Sequence, residues 1–134
     1  MENKFITSIA GVIVRLAFGG MMLTHGIPKF GRLTGDEPIK FADVMGMGPE
    51  VSLALTVFAE LVCALLIMIG YRTRWATIPL MITMLVAAFY AHGDDPFGDK
   101  EPALLYFFGY LAVWVNNSGP YSLDAWIASR KKTA

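Results

Sequence analysis

Five residues in this chain have types and positions that suit chemistry: His25, His92, Lys29, Arg15 and Glu60. Arg15 and Glu60 each stand in an apolar run that holds no other charge. His25 and Lys29 follow the first such run, and His92 ends the third, just before Asp94, Asp95 and Asp99. An imidazole or an ammonium beside apolar sequence can donate to the carbonyl oxygen of a small molecule such as a quinone, and the imidazole can also carry its proton. Two histidines and a carboxylate (His25, His92 and Asp94) are also a donor set for a metal ion. Met45 and Met47, with Met21 and Met22, would suit Cu(I). Methionine more often fills gaps in apolar packing, so no metal is expected and the His25–His92–Asp94 site is the alternative. In the plainest reading the histidines cap helix ends at an interface. HExxH, a Walker loop, GxGxxG before a helix and GxSxG are all absent. Cys63, the single cysteine, has no partner for a disulfide or a CxxC pair and reads as a small buried hydrophobe.

The elements that must position these residues are membrane helices. The 134 residues make a single domain, 55% hydrophobic and 16% charged, with a mean hydropathy of +0.52. An ordinary soluble domain has about 25% charged residues, so this chain has too few to cover its surface. Zero net charge gives no general attraction to nucleic acid. Four runs approach the ~20 apolar residues that cross a bilayer: about 5–24, 51–70, 75–91 and 102–118. The first follows a barely basic ENK and resumes after Arg15, so it reads as a retained span rather than a cleaved signal. Pro28 should bend or end it. Pro49-Glu50 or Ser52 should open the second helix and Pro102 the fourth. Residues 39–45 suit a short interfacial helix. After Gly119-Pro120, Ser122 can N-cap a last helix, with Leu123, Trp126 and Ile127 on one side and Arg130, Lys131 and Lys132 beyond, a pattern suited to the membrane surface.

The expected fold is therefore all-α: a membrane four-helix bundle with a short C-terminal interfacial helix. The side holding the termini and the 70–74 hairpin has six Lys and Arg against four on the other, which makes both termini cytoplasmic. Counted from Phe5 and Val51, Arg15 and Glu60 both lie about 15 Å into a core ~30 Å thick. Matching depth and opposite charge predict an ion pair between them, either a structural clamp or the floor of a ligand cavity. His25 and His92 then share the outer level, with Lys29 one turn beyond His25.

The chain resembles the DoxX family of small four-helix membrane proteins. Arg15, His25-Gly26 with Lys29, Glu60, Gly70 with Thr73-Arg74, Ala91-His92, and Gly119 with Ser122-Leu123-Asp124 carry the resemblance, in that order. It implies a multi-pass protein of the bacterial inner membrane, in a family that includes the small subunit of thiosulfate:quinone oxidoreductase. Cys63 is not placed for sulfur chemistry. One expectation is a redox component, a quinone-linked oxidoreductase subunit that binds quinone near Arg15, His25, Lys29, Glu60 and His92. It would pass electrons between a soluble or periplasmic partner and the quinone pool. The alternatives are a non-catalytic membrane anchor or assembly subunit, and a metal-handling or small-molecule transport protein. Lipid is a partner in every case, and a homo-oligomer stays open.

Overall fold

The computed structural model describes all residues from Met1 to Ala134, which form helices and loops without a strand. The helices are α1 Glu2–Thr34, α2 Pro49–Ile69, α3 Thr73–Ala91, α4 Phe97–Asn116 and α5 Leu123–Thr133. Three of them, α1, α2 and α3, are long and apolar enough to cross a membrane. Neighbouring long helices run antiparallel. α1 packs on α2 and α4, and α3 packs on the same two. Met22, Cys63, Ile67, Leu80, Met84, Tyr110 and Val113 meet in the core between them.

Several boundaries differ from those the sequence suggests. α4 starts at Phe97, with Pro96 at its cap, and not at Pro102. Its first turns therefore carry Asp99, Lys100 and Glu101, and α4 is not among the three apolar spans. Residues 39–45 form no helix. Asp43 accepts from the Gly48 N–H (2.8 Å), the Ser52 hydroxyl accepts from the Val44 N–H (3.0 Å), and Tyr90 donates to the Asp43 carbonyl (2.8 Å). These bonds hold the 35–48 loop down while Phe41, Val44 and Met47 turn toward the helices. α2 does open at Pro49, where a missing N–H costs nothing. Ser122 caps α5 as expected, accepting from the Ala125 N–H at 3.1 Å.

The largest difference is in α1, which runs through Pro28 and ends only at Thr34. At 33 residues it is about 50 Å long, against about 31 Å for the 21 residues of α2. Its buried residues are Arg15, Gly19, Met22 and Gly26, spaced by four, three and four, which is one helical face. Gly26 sets the register. A Cβ there would stand 2.7 Å from the Glu60 carbonyl oxygen, so only glycine lets the two backbones approach this closely. Arg15 then lies level with Ile67 and Met68, near the end of α2. The residues before Arg15 run past that end, and none of them is buried.

Candidate functional site

This register decides which charges meet. Lys29 is one turn beyond Gly26 on the same face, and so it arrives at Glu60. Its ammonium nitrogen lies 2.8 and 2.6 Å from the two carboxylate oxygens. The Glu60 side chain is 4% exposed and that of Lys29 25%, so the pair is largely withdrawn from solvent. The predicted Arg15–Glu60 pair does not form. The depth count started α1 at Phe5, whereas the stretch that packs beside α2 begins near Arg15. Glu60 is about 16 Å into α2, close to its middle, and Lys29 is therefore deep rather than at the outer mouth.

Arg15 is satisfied elsewhere. It donates to the carbonyls of Ile67 (3.3 Å), Met68 (3.5 Å) and Tyr121 (2.6 Å), while its Nε is the one buried side-chain polar atom without a partner. Gly70, at φ +74°, makes room for it, since a Cβ there would overlap both the guanidinium and Ser122. Asp124 accepts from the Arg72 N–H at 2.9 Å and from the Ser118 hydroxyl at 2.5 Å, and Ser118 also reaches Thr73 at 2.8 Å. Arg15, the hairpin and the Ser122-Leu123-Asp124 segment thus form one clamp, remote from Glu60.

At the Glu60 level, α2 and α3 both widen into π-helical turns, Phe58–Cys63 and Ala87–Ala91. Such turns are frequent at functional sites because they displace the backbone from regular α geometry. The second ends on His92, whose N–H donates to the Ala87 carbonyl at 3.0 Å. The His92 Nδ1 lies 2.7 Å from Asp95, which leaves Nε2 free for another partner. His92 is exposed, and so is Asp94, which borders neither of the cavities described next.

Two cavities share Lys29, Glu60, Ala87 and His92 as a common wall. One, of about 360 Å³, lies under the 35–48 loop, with Phe41, Val44, Leu55, Ile82 and Val86 around it and Ser52, Thr56 and Thr83 as neutral polar groups. The other, of about 260 Å³, faces α4 and is bordered by His25, Asp99 and Tyr106 beside Met22 and Met84. His25 meets Tyr106 edge-on, with ring centroids 5.8 Å apart. Four of the five residues singled out from the sequence therefore converge, and Arg15 does not. No three His, Cys, Asp or Glu side chains converge as a metal site, and His25, His92 and Asp94 do not form one. Tyr106, Phe41 and Val44 were not anticipated, and Asp99 stood out only as a neighbour of His92. Tyr106 follows Pro102 by four residues, a helical spacing that could have placed it near the outer end of α4.

A family model for DoxX proteins matches residues 10–93. The chain belongs to the DoxX family. No curated protein and no solved structure matches it. The matched region of this DoxX protein runs from the third turn of α1 to just past His92. It holds His25, Lys29, Glu60 and His92, while α4 and the Ser122-Leu123-Asp124 segment lie beyond it. With its three apolar helices, this DoxX protein is a multi-pass membrane protein in contact with lipid.

The site's chemistry follows from its charges. Lys29 has three N–H donors, and two carboxylate oxygens leave at least one free. The pair is neutral overall, so an incoming anion or cation would unbalance a poorly solvated region. A neutral molecule with a carbonyl acceptor on an apolar ring would not.

Proposed function

We propose that the chain is a four-helix bundle of the bacterial inner membrane, with both termini cytoplasmic, that binds a quinone ring in the cavity under the 35–48 loop. There it passes electrons from a soluble or periplasmic partner to the quinone pool. The observation that carries this reading is the Lys29–Glu60 pair at the edge of an apolar cavity of about 360 Å³. Lys29 donates to one ring carbonyl, Phe41, Val44 and Ile82 pack the ring, and His92 lies at the same wall. Reduction of a quinone to a quinol takes two electrons, supplied here by the partner protein, and two protons. His92 and Glu60 are the titratable groups through which those protons pass. The excess of Lys and Arg at the hairpin end, six against four, supports the orientation.

Mass spectrometry of small molecules extracted from gently purified protein tests this. Wild type should carry quinone, and Lys29→Met and His92→Ala should lose most of it. Protein that carries none, takes up none when quinone is added and is indifferent to both substitutions would sink the proposal. A membrane anchor or assembly subunit would then be the better description.

A further inference from the structure

The zero net charge hides a strong polarity. Apart from the buried Arg15 and the Lys29–Glu60 pair, the hairpin end holds six cations (Lys4, Arg72, Arg74, Arg130, Lys131 and Lys132) against two acids, Glu2 and Asp124; the opposite end holds three cations against eight acids. Asp124 is already engaged with Ser118 and the Arg72 N–H. Arg15 is spent on carbonyls. The remaining cations of that end are exposed and have no acidic partner.

Aromatic groups sit among them. All three tryptophans are at this end, and two face guanidinium groups: Arg74 over Trp114 at 5.2 Å and Arg130 over Trp126 at 4.6 Å. Tryptophan with arginine is the combination found at the headgroup level of membranes, where the ring is half wet and the cation meets phosphate. α5 buries no residue of its own, so its Arg130, Lys131 and Lys132 are not needed for internal packing.

The same end has a seat. A groove of about 410 Å³ lies between the first turns of α1 and the 116–120 loop, lined by Lys4, Thr7, Ser8, Asn116, Asn117 and other small or polar residues. Beside it, Phe5, Ile6, Ile9 and Ile13 are exposed on the part of α1 that outruns α2. A polar groove with an ammonium at its rim, next to an apolar stripe of helix, has the amphipathic form of a phospholipid. We propose that the hairpin end binds anionic phospholipid, with headgroups meeting Lys4 at the groove and the cations of α5 elsewhere on the same end, and acyl chains along the first turns of α1. The proposal is independent of any ligand at Lys29 and Glu60.

Purified protein in neutral detergent, titrated with phosphatidylglycerol or phosphatidylcholine and followed by native mass spectrometry and thermal unfolding, tests it. Phosphatidylglycerol should be retained and should raise the melting temperature, and phosphatidylcholine should do neither. The triple variant Arg130→Gln/Lys131→Gln/Lys132→Gln should bind phosphatidylglycerol on the order of a hundredfold more weakly. Lys4→Gln should weaken it about fivefold. Arg32→Gln/Lys40→Gln, at the acidic end, should bind as wild type does. Equal retention of the two lipids, or a triple variant that binds like wild type, would overturn the proposal. So would displacement of the lipid by millimolar inorganic phosphate, which would mark the site as one for a free anion.

Discussion

Two levels of this molecule use the same ingredients to opposite effect. Each places a cation from α1 against α2, Arg15 buried and Lys29 half-buried, and each needs a glycine to let it in. At the hairpin, Arg15 is aimed at backbone carbonyls and Gly70 admits it, so the polar groups close on one another. At the Glu60 level, Gly26 brings the backbones together, Lys29 takes the carboxylate, and two cavities open on either side. A cation that ends on carbonyls ties down chain. A cation that ends on one carboxylate keeps a free N–H and a neutral site, and that is where a ligand can be held.

The contrast can be broken most severely at Glu60. Glu60→Gln leaves the Lys29 ammonium in a poorly solvated site, and unfolding in detergent should show a loss of about 3 kcal/mol. Lys29→Met/Glu60→Met should recover most of that stability while binding no quinone. A double variant as unstable as the single one would mean that the pair is structural first. Next is Arg15→Met, which abandons three carbonyls at once. It should cost about 2 kcal/mol and raise hydrogen exchange over residues 117–124, leaving the 35–48 loop as it was.

Gly70→Ala should cost about 1–2 kcal/mol, measurable as a lower melting temperature, because it strains a left-handed backbone and pushes on Arg15. Only the part due to the guanidinium should vanish in an Arg15→Met background, because the left-handed φ and the overlap with Ser122 persist there. The smallest effect is expected from Tyr90→Phe, which removes one bond to the Asp43 carbonyl. About 0.5–1 kcal/mol of local stability should be lost, seen as faster exchange in the 35–48 loop alone. Exchange that spreads to the hairpin would show that the two ends are not independent.

Much of this was legible in the residues. Apolar runs give three of the four expected spans, Ser122 gives the cap of α5, and His25, Lys29, Glu60 and His92 stand out because polar groups near lipid need a reason. Their pairing was not legible from depth alone. Counting inward from Phe5 assumes that a helix begins at the membrane face where its hydropathy rises, and α1 is too long for that. Gly26 carried the missing information, since a close approach to Glu60 fixes the register and sends Lys29, not Arg15, to the carboxylate. The start of α4 lies upstream of the expected one because Pro102, which looks like a first-turn residue, sits inside the helix, and Pro96 stands at the cap. The cavity under the 35–48 loop depends on hydrogen bonds from Ser52, Asp43 and Tyr90, distant in sequence, which no local pattern encodes.

The π-helical turn at Phe58–Cys63 makes this site sensitive to chain length as well as to side-chain identity. A turn of this kind holds one residue more than the α-helix around it. Deleting a single residue there would restore even winding and leave the helix on either side close to its present phase, while the side chains within the turn, Glu60 among them, would rotate relative to both. Glu60 would turn away from Lys29, though Ile67 and Met68 still met Arg15 and every other side chain kept its chemistry. The meeting of Lys29 with Glu60 is thus written partly in arithmetic, as one surplus residue in the middle of α2.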